Sequence, residues 1–226
     1  MENKDFVIEN GVLKKYNGNA AHVVIPNDIT SIGGYAFCGC TSLTSIEIPN
    51  SVLDIGECAF VGCVNLTSIK IPSSVIQIDE KSFYGCINLQ NVTIPNSVIT
   101  IREAAFKWIK QVKPQYNANG SLRAFKAFNS QWSCYGGFRY KVGEQYHQNG
   151  KIKCCAKGFH ACPNPLSVFN YYGGDLRRLH FAEVELSGEI SFAVICDKVA
   201  ASDIKIVREL TVQELCDIYN KMKKEK

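Results

Sequence analysis

Apolar residues return in a fixed step of 23 positions through the first half of the chain. Ile-Pro recurs at Ile25-Pro26, Ile48-Pro49, Ile71-Pro72 and Ile94-Pro95, and phenylalanine at Phe37, Phe60, Phe83 and Phe106. Gly-Cys recurs at Gly39-Cys40, Gly62-Cys63 and Gly85-Cys86. Within one period, Leu43, Ile46 and Ile48 alternate with polar residues, which predicts a short strand with one buried face. Pro49 ends it, because proline cannot donate to a further ladder hydrogen bond. A second extended segment follows, as in Ser51-Val52-Leu53-Asp54-Ile55, whose outer apolar positions are core. A period of this length is the mark of a solenoid, in which each unit covers its neighbour and none is stable alone.

The spacing Cys63-x-x-Leu66-x-x-Ile69-x-Ile71 contains the L-x-x-L-x-L element of leucine-rich repeats. With Ile48-Pro49, Val52, Ile55-Gly56 and Ala59-Phe60 it resembles the BspA-type leucine-rich repeats in detail. The opening Asn10-Gly11-Val12-Leu13 with Val23-Val24-Ile25-Pro26 resembles the first unit of that family. The resemblance covers about residues 6–108 and implies a rigid platform for adhesion or other protein contacts. In the last unit Trp108-Ile109 stands where Gly-Cys is expected, so Trp108 is expected to cover the open end of the core.

Two columns of the repeat are candidates for contact with a partner. Between the buried positions of the second segment lie Thr30, then Leu53, Ile76 and Ile99. Stacked aliphatics there form either an exposed interface patch or a seam against the second half of the chain. On the first strand, Glu47, Lys70 and Thr93 face outward beside them.

The period stops near Lys113, and residues 113–120 read as a linker. Residues 1–112 are therefore expected to be the solenoid and 121–226 a small α+β domain. Strands are predicted at 138–142, 151–155, 180–186, 190–195 and 204–207. A helix over 166–172 is predicted with Asn164 as N-cap and Pro165 in its first turn. A last helix opens with the capping box Thr211-x-x-Glu214. The segment from Gly158 to Tyr172, with Ala182-Glu183-Val184 and Ile204 to Leu210, resembles an uncharacterised domain of bacterial and bacteriophage proteins. That resemblance implies a phage or mobile-element origin and carries no activity.

A net charge of +4 on 226 residues does not mark a nucleic-acid binder. Lys221, Lys223, Lys224 and Lys226 read as a solvated tail. No apolar run approaches membrane-spanning length, and the first residues carry no leader-like apolar stretch. With an odd number of cysteines, 11, this reads as a reduced, cytoplasmic protein with buried thiols.

Chemistry is sparse. Cys154, Cys155, His160 and Cys162 are metal-ligand types, but adjacent cysteines on a strand point to opposite faces, so no metal or other cofactor is expected. Cys134, Cys162 and Cys196 are nucleophile types without a recognisable base. Tyr135, Phe138, Tyr140 and Tyr146, with Arg139 and Lys141, could stack on nucleic acid but read better as core. Glu183 and Glu185 alternate with apolar residues and read as a solvated strand face. Arg139, His160, Tyr171 and Glu185, with Tyr172 and Glu183, loosely resemble the residue order of ADP-ribosyltransferase folds, which implies an NAD-using enzyme as the alternative reading. A surface adhesin is a third. The principal expectation is a non-catalytic module that recognises another protein stoichiometrically. It extends to an inhibitor or adaptor of bacteriophage type acting on a host defence complex, with contacts at Leu53, Ile76, Ile99, Glu47, Lys70 and Thr93.

Overall fold

The computed structural model describes residues 4–134, 137–193 and 197–222. The chain is built mostly of strands, with few helices. Through the first half each 23-residue unit contributes one coil with two short strands. The first strands are His22–Val24, Ser45–Glu47, Ser68–Lys70 and Asn91–Thr93. The second are Ser31–Ile32, Asp54–Ile55, Gln77–Ile78 and Thr100–Ile101, which pair in parallel so that Ile32, Ile55, Ile78 and Ile101 fall in one row. An antiparallel hairpin, Phe6–Glu9 with Val12–Tyr16, begins this sheet by pairing Leu13 with Ile32. Gly174–Asp175, from the second half, closes its far edge against Thr100–Ile101.

The repeated columns are the core. Phe37, Phe60, Phe83 and Phe106 stack at ring-centroid separations of 5.0, 5.2 and 5.2 Å, within 8° of parallel. Tyr16 and Phe6 extend the stack at one end, Phe169 and Phe181 at the other. The Gly-Cys column has its own geometry. Gly39, Gly62 and Gly85 take φ of 69°, 71° and 74°, a left-handed turn that favours glycine. The following Cys63 and Cys86 thiols donate to the Phe37 and Phe60 carbonyls of the preceding coil, at 3.1 and 3.2 Å. The cysteines are thus buried hydrogen-bonding core residues. Desolvation pushes the Cys63 thiol pKa up and that of Cys86 to about 12.

The solenoid does not end as expected at Trp108. That residue occupies the glycine position with φ of 58° and turns its ring outward onto Tyr84, leaving it 57% exposed. The open end of the core is covered from the far end of the chain. The helix Val212–Met222 packs along Asn91–Thr93 and buries Leu215, Cys216, Ile218, Tyr219 and Met222. The Asn220 carboxamide accepts from Val92 N and donates to Val92 O, both at 2.9 Å, as the backbone of a further coil would. Tyr219 Oη donates to Leu89 O at 2.5 Å. This helix begins with the expected capping box, Glu214 N donating to Thr211 Oγ1 and Thr211 N to a Glu214 carboxylate oxygen. The cap and its bond to Arg208 hold the Glu214 pKa below the usual carboxylate range. That contribution is present above the unfolded pKa and is lost as pH falls through the folded one. Glu214→Ala is expected to lower stability by about 1 kcal/mol in a denaturant titration at neutral pH.

The second half is a six-stranded sheet in the order Gln115–Tyr116, Leu122–Asn129, Leu179–Phe192, Val199–Leu210 and Gln145–His147, with Phe159–Ala161 also pairing with Val199–Leu210. Gln115–Tyr116 lies in the segment read as a linker. Arg123 and Lys126 interrupt the apolar pattern of Leu122–Asn129, so the sequence alone does not mark it as a strand. It is buried on both faces: Phe125 and Ala127 join the core shared with the solenoid, while Leu122, Ala124 and Phe128 join a second core. The strands predicted at 180–186 and 190–195 are one continuous strand through Phe192, with 194–196 outside the described residues. Segments 138–142 and 151–155 contribute only isolated bridges. The helix predicted over 166–172 is a buried 3-10 turn, Pro165–Asn170, capped as expected by Asn164, whose side chain accepts from Leu166 N. Among the described residues no helix is long and apolar enough to cross a membrane.

Candidate binding surfaces

Leu53 and Ile76 are held one above the other by the coil backbone. Leu53 N donates to Thr30 O, Ile76 N to Leu53 O and Ile99 N to Ile76 O, each at 2.9 Å. The same ladder continues across to the second half, where Leu176 N donates to Ile99 O at 2.9 Å. The column is therefore exposed over part of its length and meets the second half of the chain at its end. Leu53 and Ile76 are 50% and 49% exposed, while Ile99 is half-buried beside Leu176.

Glu47 and Lys70 are exposed on the other set of strands, and Thr93 is half-buried. With Pro49, Pro72 and Gln213 of the terminal helix they line a groove that contains none of the aliphatic column. The two sets of candidate residues are thus on different sheets, separated by the Ile-Pro corner. His22 Nδ1 lies 2.8 Å from Ser45 Oγ and its Nε2 3.4 Å from Glu47 at the first row of this groove face.

A further column escaped the sequence reading. Glu57, Glu80 and Glu103 also recur at 23-residue spacing, one short turn beyond the aliphatic column. Asp54 and Asp79 lie in the same turns; Lys81, paired with Glu80, and Arg102, paired with Asp79 at 2.9 Å, offset part of this charge, and Lys198 lines one cleft with Glu80 and Glu103. The period was sufficient to find this column, which the apolar pattern had overshadowed. It makes the region acidic on a chain whose net charge is +4.

Residues 8–129 match the BspA type leucine-rich repeat region, in six copies. The chain belongs to this family. Residues 122–218 match a domain of unknown function, DUF7666. Solved structures similar to this BspA-type chain include a leucine-rich repeat protein of Treponema pallidum, 28% identical over 47% of this chain and 55% of that one, with a TM-score of 0.44. Another is a leucine-rich repeat protein of Bacteroides capillosus, 30% identical over 43% of this chain and 79% of that one, with a TM-score of 0.41. This chain thus spans about half of the Treponema protein. No curated protein matches it. The repeat match extends through Leu122–Asn129, whose backbone pairs within the second sheet. Repeats of this type suggest a protein-binding or adhesin-like role, and such families are generally non-catalytic.

The catalytic constellation considered for the second half of this BspA-type chain is not assembled. Ala200, opposite His160, and Lys205, opposite Glu185, are five residues apart on one strand, roughly 17 Å at ~3.3 Å per residue. Glu185 accepts from Asn117 at 3.1 Å, and Arg139 is exposed on a separate loop. Glu183 is no solvated residue: it lies between Arg123 at 2.6 Å and Arg208 at 3.0 Å. Of the group, His160, Tyr171 and Tyr172 line one cavity, while Arg139, Glu183 and Glu185 do not line it.

The cysteine and aromatic candidates are likewise drawn into structure. The His160 ring accepts from Cys155 N through Nε2 at 2.9 Å, and Cys162 is buried. Phe138, Tyr140 and Tyr146 pack edge-on against one another at 4.9–5.3 Å, with Phe128 5.1 Å from Tyr140. Tyr135 and Cys196 lie outside the described residues.

Proposed function

We propose that this chain is a stoichiometric protein-binding module whose partner docks on the face formed by Leu53, Ile76 and the glutamate column. The observation that carries the reading is that Leu53 and Ile76 stand one above the other, half exposed, beside core columns of the same coils that are buried. The acidic column beside them fits a partner that presents basic side chains around an apolar anchor. Glu47, Lys70 and Thr93, around the corner, are a second contact region. Neither the fold nor the relatives point to a host defence complex, so the partner is named by its chemistry alone.

The test is capture from host lysate by the wild-type chain and by the double variant Leu53→Asp, Ile76→Asp, compared quantitatively. Both positions are half exposed, so the variant is expected to melt within about 1 kcal/mol of wild type. Ile99 is left intact, because a carboxylate there would be forced against Leu176. A protein retained near-stoichiometrically by wild type is expected to bind the variant more than roughly thirtyfold more weakly, the loss of a hot spot. Equal retention would move the site off this face. An empty wild-type capture would sink the binding-module reading itself.

A further inference from the structure

Lys126 is a buried cation without a carboxylate. It is 5% exposed in the middle of Leu122–Asn129, and its Nζ donates to His160 O at 2.6 Å. Its other close neighbours are the Phe128 and Tyr140 rings, at 5.7 and 5.9 Å, and the Cys134 thiol. Lys198 Nζ stands 3.5 Å from the centroid of the Tyr171 ring. Both lysines line one small cavity with His160, Cys162, Tyr171 and Tyr172. Among the described residues neither has an acidic partner. The adjacent Asp197 is already engaged, accepting from Ser167 Oγ, from Asn170 Nδ2 at 2.9 Å and from Tyr171 Oη at 2.6 Å.

A fully buried lysine is rare unless it is paired, since an isolated ammonium is costly to desolvate. Burial lowers the Lys126 pKa; Lys198 acts in the same sense, and the Cys134 and Cys162 thiols oppose it. Burial and both lysines also lower the His160 pKa. Lys198, Tyr171 and Tyr172 also line a larger cleft, about 710 Å³, between the second half and the last coil, whose far wall carries Glu80, Glu103 and the Asp79-paired Arg102.

We propose that the cavity between Lys126 and Lys198 binds the phosphate or carboxylate group of a small metabolite, the remainder of which lies in the adjoining cleft. The anion would supply the missing counter-charge to both ammonium groups, with Tyr171 and Tyr172 walling the cavity. The cleft reaches Glu80 and Glu103 of the glutamate column, but the head-group cavity contains neither of them nor Leu53 and Ile76.

The full chain is melted at constant ionic strength, set with sodium chloride, while inorganic phosphate or acetate replaces chloride. A saturable rise in melting temperature is expected with at least one of the two, and the stronger identifies the head group. Lys126→Met removes a buried charge, so it is expected to fold and to lose the rise. Lys198→Ala, at a half-exposed position, is expected to weaken binding by roughly tenfold, the loss of one charge-assisted contact. No rise in wild type with either anion overturns the proposal. A rise undiminished in Lys198→Ala means an adventitious ion only and overturns it equally, and this arm holds even if Lys126→Met fails to fold.

Discussion

Phe83→Ala is expected to destabilise the protein by roughly 3–5 kcal/mol. Phe83 is fully buried and its ring stacks on Phe60 and Phe106, each at 5.2 Å, so truncation leaves a cavity bordered on both sides. The backbone around it cannot readily collapse. Phe83 N donates to Ala105 O and Phe60 N to Ser82 O, at 2.8 Å each, which fixes the coil spacing independently of the side chain. A solenoid is stabilised by the interfaces between neighbouring units, and this substitution weakens two of them at once. Urea unfolding should show the midpoint falling sharply. A shift worth less than about 1 kcal/mol would mean that the rings fill space without carrying the stack.

The coils were legible because the repeat states each position several times over. Any single alternation such as Leu43-x-x-Ile46-x-Ile48 is ambiguous, but the same columns recurring in successive units leave one arrangement that buries them all. The exposed Leu53 and Ile76 were legible for the same reason, as apolar residues in a column that opens with Thr30. Ile99 shows where this reasoning stops. Its column position is the same as theirs, and only the docking of Leu176, 77 residues later, distinguishes its burial. In the second half no residue has a repeated counterpart. Leu122–Asn129 carries Arg123 and Lys126 where a two-sided core strand would show apolar residues, one satisfied by Glu183 on the neighbouring strand and one held by the His160 carbonyl. Local pattern cannot supply partners 60 and 34 residues away. Local capping, by contrast, is legible at Asn164 and at Thr211–Glu214, because both partners lie within one turn.

The largest consequence of long-range pairing is at the end of the solenoid, where Tyr219→Ala is expected to cost roughly 3–5 kcal/mol and to open the molecule from that end. Tyr219 is fully buried, and its hydroxyl donates to Leu89 O and, at 3.1 Å, to Lys110 O. Burial raises the phenol pKa, so the group remains the neutral donor those carbonyls require. Next to it, Asn220 occupies both backbone groups of Val92. A terminal coil has an open edge and an open apolar end, and here one helix turn closes both. Asn220→Leu keeps the helix and its packing but leaves Val92 N and O without partners, a penalty of about 1–3 kcal/mol for each buried group. The two substitutions touch one site and should not add. Hydrogen exchange distinguishes this account from a general loss of stability. In both variants the Val92 amide and the last coil should exchange first, while Phe37, Phe60 and their coils stay protected at a moderate shift. Uniform loss of protection along the solenoid would show that the terminal helix is not the cap of the stack.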